Sequence, residues 1–305
     1  MTEHSTYHEP VLLQECLEGL NINPEGVYVD VTFGGGGHSK AILSQLTTGH
    51  LYAFDQDEDA KPNAASLGMH GFTLIEANFR HLRRYMKLHG VTGIHGLLAD
   101  LGVSSHQINS PERGFSTRYQ ADLDMRMDTR SPLTAQQIIN EYSADQLHRI
   151  FGMYGEVHNA RTLAAAVVAE RVSRPLNTVN DLKQVLQKLA PRARENKYFA
   201  QVFQALRIEV NDELKALEEM LEQATDLLLP GGRLVVMSYH SLEDRLVKNL
   251  IGKGKFSGEV DKDLFGNEIK PLKGISRKPI TASEEELARN PRSRSAKLRI
   301  AEKNN

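Results

Sequence analysis

Along this chain the apolar positions come first as short runs and later as helical stripes. Val27-Tyr-Val-Asp30, Leu51-Tyr-Ala-Phe-Asp55, Phe72-Thr-Leu-Ile75 and Ile94-His-Gly-Leu-Leu-Ala-Asp100 have the length of buried strands. The intervening patterns predict helices over His38–Leu46, Asp57–Ser66 and Phe79–Leu88. Strand and helix alternating at this spacing make βαβ units and a parallel sheet.

The alternation stops near Gly102. Helical patterns follow at Thr134–Tyr142, Ala144–Phe151, Asn159–Val172 and around Leu182, Val185, Leu186 and Leu189, which share one face. Leu214, Leu217, Leu221, Ala224 and Leu228 form one stripe and predict a single long helix from about Phe199 towards Leu229, ended by Pro230-Gly-Gly. Arg233–Ser238 then reads as a strand and Ser241–Ile251 as a helix. Ser295–Ala301 reads as a last strand, beyond a Gly-, Lys- and Pro-rich stretch from Gly252 to Pro279 that reads as irregular and mobile. About a hundred residues exceed an ordinary βα loop of roughly 2–6 residues. Residues 105–210 are therefore expected to be an inserted helical domain in a sheet domain built from 1–104 and 211–305.

Size and composition agree with two domains, since 305 residues with 40% hydrophobic content can bury substantial cores. No run suggests a membrane span, the first ten residues do not read as a signal peptide, and Cys16 is the only cysteine. A cytoplasmic protein is expected. The net charge of -2 conceals segregation: residues 1–105 carry -6, 106–210 carry +3, 211–244 carry -6 and 245–305 carry +7. A uniformly basic nucleic-acid binder is excluded. A protein that meets a polyanion with its middle and its tail is not.

The candidate chemistry lies at the strand ends. Asp30-Val-Thr-Phe-Gly34-Gly35-Gly36-Gly37-His38 links a strand to a helix through four glycines, and Asp55 ends the next strand. In an open parallel sheet, ligands bind beyond the carboxyl ends of the strands. Asp30, Asp55, Asn78-Phe79 and Asp100 all fall on that edge. Asp55 is placed for ribose hydroxyls and Phe79 for an adenine face. A dinucleotide needs G-x-G-x-x-G, but the third glycine position is Ser39. The crowded carboxylates favour the cationic S-adenosylmethionine over a pyrophosphate. A dinucleotide and a purely structural glycine turn remain alternatives on these residues alone.

Further motifs narrow the choice. Tyr7-His-Glu-Pro-Val-Leu-Leu, Asp30-Val-Thr-Phe-Gly-Gly-Gly-Gly-His-Ser39, Ala99-Asp-Leu-Gly-Val-Ser-Ser105, Pro111-Glu-Arg-Gly-Phe-Ser116 and Leu123-Asp-Met-Arg-Met-Asp128 resemble one family. So do Phe203-Gln-Ala-Leu-Arg-Ile208, Ser238-Tyr-His-Ser-Leu-Glu-Asp-Arg245 and Asn290-Pro-Arg-Ser-Arg294. The family is the bacterial ribosomal RNA small subunit methyltransferase H group, also called MraW, and the match spans nearly the whole chain. The resemblance implies a class I methyltransferase, a Rossmann-like α/β fold with a mostly parallel sheet and an inserted all-helical domain. It implies methyl transfer from S-adenosylmethionine to the exocyclic N4 of a cytidine in the decoding, P-site region of 16S rRNA. By motif position it implies cofactor contacts at Gly36, Gly37, His38, Asp55, Phe79, Asp100 and Gln107. The pattern departs between Ser116 and Leu123, where Thr-Arg-Tyr-Gln-Ala-Asp replaces an aromatic followed by Asp-Gly-Pro in many relatives.

Methylating an exocyclic amine requires placement and an acceptor for the departing proton. Asp100, at the end of the fourth strand, is the candidate. Serving the cofactor alone is its other reading. Ser241 and Asp244 read as a capping-box helix start, and His240 as a substrate-side residue or a satisfied structural histidine. Arg113, Arg118, Arg126 and Arg130 of the insert, with Arg292, Arg294 and Arg299 of the tail, are candidate phosphate contacts. No His, Asp and Glu spacing predicts a metal. Partners expected are 16S rRNA, within the small subunit or free, and no membrane. An exposed stripe on the insert is compatible with a homodimer. A non-catalytic rRNA-binding assembly factor is the rival reading; the glycines, Asp55 and Asp100 together speak against it.

Overall fold

The computed structural model describes residues 10–68 and 70–305, so Tyr7, His8 and Glu9 of the first motif lie outside the described residues. The chain divides into two compact units. One comprises the residues up to Gly102 together with Lys215–Asn305, and the other Val103–Leu214.

Among the described residues the first unit has seven strands: β1 (Val27–Asp30), β2 (His50–Phe54), β3 (Phe72–Ile75), β4 (Ile94–Asp100), β5 (Leu228–Ser238), β6 (Leu272–Gly274) and β7 (Lys297–Lys303). Their order is β3-β2-β1-β4-β5-β7-β6. The first five are mutually parallel, and β7 runs antiparallel between β5 and β6. This is the mostly parallel α/β sheet that the alternating runs predict. Alternate residues feed two cores, as a pleated strand requires. Val29, Phe54, Leu97, Ala99, Leu234 and Val236 pack with the helices Leu82–Leu88, Glu213–Leu227 and Ser241–Lys253. Tyr28, Leu51, Leu98, Val235, Met237 and Leu298 pack with Leu13–Leu20 and Gly37–Leu43 on the other face. Burial on both faces is why these strands read as continuous apolar runs.

The second unit is helical, with its own core around Leu123, Ile138, Phe151, Leu163, Leu182, Val202 and Leu206. Four of its described helices begin with reciprocal capping boxes, Ser104 with Gln107, Thr134 with Gln137, Ser143 with Gln146 and Thr178 with Asp181. The segment that departs from the family pattern is tied in place by pairing of Asp122 with Thr178 and by a Lys183 Nζ hydrogen bond to the Thr117 carbonyl.

Three expectations change. The single long helix is two, Glu195–Asn211 and Glu213–Leu227, separated at Asp212 with φ 48°. Asp tolerates this left-handed conformation better than most residues. The side chain of Asn211 fastens the break, accepting from Met127 N at 2.7 Å and donating to the Met125 carbonyl at 2.8 Å. Arg207 bridges it with two 2.8 Å contacts to Glu213. Pro230-Gly-Gly does not end a helix. The register jumps from Ile94 opposite Leu228 to Gly96 opposite Arg233, so those residues bulge out of β5. The stretch read as irregular contains β6, and beyond it comes the helix Glu284–Arg289, whose buried Glu286 accepts a hydrogen bond from Leu12 N at 2.8 Å.

Candidate functional site

The carboxyl ends of β1, β2, β4 and β5 carry the polar cluster. Asp30, fully buried, spends both oxygens locally. Oδ1 accepts from Thr32 N at 3.0 Å and Thr32 Oγ1 at 3.3 Å, and Oδ2 accepts from Ser39 Oγ at 2.7 Å. It staples the two ends of the glycine turn and has little left for a ligand.

The turn between those staples is shaped by its glycines. Gly36 caps the helix Gly37–Leu43 at φ 76°, where a side chain is strained. A Cβ at Gly37 would stand 2.4 Å from Pro10 Cγ. Gly35 faces open space, with nothing within 4 Å of an added Cβ, so the backbone there is open to close approach.

Asp55 stands beside the turn. Its Oδ2 accepts from Gly34 N at 2.8 Å and its Oδ1 from Asp57 N at 2.9 Å. Each oxygen keeps a lone pair for another donor. Burial pushes this carboxyl up to about 6, against the Asp57 and Gly34 N–H groups that lower it; Asp57 and Asp30 add repulsion. Phe79, half-buried, opens the short helix Phe79–His81 after β3, which Asn78 caps by accepting from Arg80 N at 2.9 Å.

Asp100 is the centre of a second network. Its backbone N donates to Thr32 Oγ1 at 2.6 Å, which joins β4 to the start of the glycine turn. Its Oδ1 accepts the Tyr239 hydroxyl at 2.7 Å, and its Oδ2 lies 3.8 Å from His38 Nδ1. His38 Nε2 is 3.0 Å from the Val11 carbonyl. A carbonyl can only accept, so that nitrogen carries a hydrogen. Burial raises the Asp100 carboxyl to about 6. His38 and the Tyr239 hydroxyl pull it down, while Asp30 and Glu243 push it up. Burial and the Asp100 charge drive the Tyr239 phenol far above its ordinary range, so it stays a donor.

The family described as the MraW methylase family matches residues 5–304. The chain belongs to the MraW methylase family. Ribosomal RNA small subunit methyltransferase H of Cytophaga hutchinsonii is 61% identical over 297 residues, which cover 97% of this chain and 99% of that one. The proteins of the same name from Amoebophilus asiaticus and Flavobacterium johnsoniae are 56% and 54% identical, over 98% and 99% of this chain and 96% and 100% of theirs.

Within this family member, the structure brings Gly36, Gly37, His38, Asp55, Phe79 and Asp100 to one sheet edge. Gln107 lies in the second unit, where its side chain completes a capping box by accepting from Ser104 N at 3.0 Å. His240 follows β5 and is itself the helix cap. Its Nδ1 accepts from Glu243 N at 3.5 Å, while Glu243 Oε2 takes Tyr239 N at 2.9 Å and His240 N at 3.4 Å. The expected Ser241 and Asp244 capping pair is therefore displaced by one residue, and an imidazole replaces the hydroxyl. Asp244 instead pairs with Arg299 at 2.7 Å, which removes Arg299 from the free cations.

Arg113 also changes role. It is buried, and its guanidinium donates to the carbonyls of Arg126 at 2.9 Å and Met127 at 3.2 Å, holding a loop rather than facing phosphate. Arg126 is bonded to Asp124 and to the Thr129 and Ser131 carbonyls, and Arg130 to Asp128. Arg118 and Arg294 are exposed, and Arg292 is half-buried. The residue that sequence reasoning missed is Tyr239. It sits inside a recognised motif, one position beyond the end of β5 and beside the end of β4. Aligning the strand ends would have found it.

Proposed function

We propose that this protein is an S-adenosylmethionine-dependent 16S rRNA methyltransferase that modifies the exocyclic N4 of a cytidine in the decoding region. Family membership and the names of relatives at 54–61% identity support rRNA of the small subunit as the substrate. The observation that carries the chemistry is the pairing of an open glycine turn and Asp55 with Asp100 on the same edge.

The residues present fit such a cofactor. Gly35 leaves backbone open, Asp55 retains lone pairs for the ribose hydroxyls, and Phe79 supplies an apolar face for adenine. When bound, the cofactor supplies an electrophilic methyl group. The chain must present the amine and take up a proton. The amino nitrogen of cytidine is a poor nucleophile because its lone pair is delocalised into the ring. Asp100 accepts a hydrogen bond from that amino group and withdraws its proton as the new bond forms. Tyr239 holds one carboxylate oxygen, so the other is the acceptor. The base must be unstacked or already single-stranded to reach the edge. The second unit and the basic tail select the RNA.

Thermal unfolding with S-adenosylmethionine and, separately, with NAD tests the cofactor assignment. Stabilisation by S-adenosylmethionine alone is expected, and stabilisation by NAD alone would overturn the reading. Methyl transfer from labelled cofactor to small subunits lacking the modification, compared with naked rRNA, tests the substrate.

A further inference from the structure

A cavity of about 260 Å³ opens beside Tyr239, and nothing in the chemistry above uses it. Tyr239, His240 and Ser241 form one wall, Thr281 stands on another, and Arg294 and Lys297 close it from the tail. Ser238 pairs with Lys297 across β5 and β7, so the cavity lies at the carboxyl end of β5, on the same edge as Asp100. The Tyr239 hydroxyl donates to Asp100 at 2.7 Å, so one side chain separates the cavity from the carboxylate.

The charges around the cavity are asymmetric. Asp244 is met by both Arg299 at 2.7 Å and Lys297 at 3.5 Å. Glu243 turns its Oε2 inward to the Tyr239 and His240 backbone N–H groups, with its side chain only 4% exposed. Arg294 adds an exposed guanidinium. Hydroxyls of Ser241, Thr281 and Ser295 supply further donors. A guanidinium with hydroxyl donors in a concave site suits a phosphate oxygen set better than a base edge, because the guanidinium fork matches phosphate geometry.

We infer that this cavity is a phosphate subsite for the RNA strand, holding the ribose-phosphate of the nucleotide whose base is presented to Asp100. The inference rests on the reading that Asp100 meets that base. Tyr239 is then a positioning residue with two faces. Its ring borders the nucleotide's sugar-phosphate, and its hydroxyl orients the carboxylate.

Titration calorimetry of the full-length protein with cytidine 5′-monophosphate, cytidine and inorganic phosphate at low salt tests the inference. The monophosphate should bind at least about 5-fold more tightly than cytidine, because a charge-assisted contact exceeds a neutral one. Arg294→Glu should abolish that preference while leaving S-adenosylmethionine affinity unchanged, and should raise KM for rRNA roughly 10-fold with kcat nearly constant. Thr281→Val should weaken the preference in part. Equal binding of monophosphate and cytidine, a preference that survives Arg294→Glu, or no measurable binding of any of the three would overturn the subsite. Inorganic phosphate binding as tightly as the monophosphate would overturn its assignment to a nucleotide. If the unmodified protein transfers no methyl group yet keeps the Arg294-dependent preference, the proposed function fails and the phosphate subsite stands.

Discussion

Tyr239 and Asp100 are joined by a 2.7 Å hydrogen bond between the ends of two neighbouring parallel strands, β5 and β4. The phenol keeps its proton, and the carboxyl sits near 6. One oxygen of Asp100 is therefore held by a fixed donor while the other is left to act.

Asp100→Asn should leave S-adenosylmethionine affinity within about 3-fold and reduce kcat by roughly 10²–10⁴, the range for loss of a general base. Single-turnover methyl transfer and cofactor titration measure the two separately. An equal loss in both would remove the catalytic role. In the unmodified protein the rate should fall about tenfold per unit as pH drops below about 6, because the carboxyl protonates there.

The same carboxyl makes a prediction about stability. Its folded value of about 6 exceeds its ordinary 3.8, so the folded state holds the proton more tightly between those values. Stability is greatest with the proton bound and falls as pH rises through that window. Asp100→Asn removes the unfavourable charge and should raise stability by about 1–2 kcal/mol at pH 7.5, with the gain vanishing near pH 4. Denaturant unfolding at the two pH values checks it; a destabilised variant at pH 7.5 contradicts it.

Gly36→Ala should cost about 1–2 kcal/mol, the usual penalty for a left-handed L-residue, since φ is 76° there. The cofactor should bind more weakly as the turn distorts. Chemical unfolding midpoints and calorimetry with the cofactor read both effects.

Arg113 and Arg294 should separate folding from RNA binding. Arg113→Ala leaves the Arg126 and Met127 carbonyls without this donor and should destabilise the protein by about 1–3 kcal/mol. Arg294→Ala, at an exposed position, should leave the melting temperature unchanged and weaken rRNA binding in a salt-dependent way. Thermal melts and filter binding across a salt series distinguish the two.

The sheet was legible because its central strands are buried on both faces, leaving uninterrupted apolar runs such as Ile94–Asp100. The helix break at Asp212 was not. The 3, 4, 3, 4 stripe from Leu214 to Leu228 says nothing about the residue before it, and what fixes the break is Asn211 bonding to Met125 and Met127, over 80 positions away. The helix Leu13–Leu20 did carry a signal, since Leu13, Cys16, Leu17 and Leu20 fall at helical spacing. At the site, Asp55 and Asp100 were readable as strand-end carboxylates. Arg113 was misread because charge alone does not reveal whether a guanidinium faces solvent or a backbone carbonyl.

The most direct test of the account is methyl transfer from labelled S-adenosylmethionine to small ribosomal subunits lacking the modification, followed by mapping of the labelled nucleotide. Label on the N4 of a single decoding-region cytidine, lost in Asp100→Asn, is the predicted result. Label on another atom or another RNA, or undiminished transfer by Asp100→Asn, would contradict it.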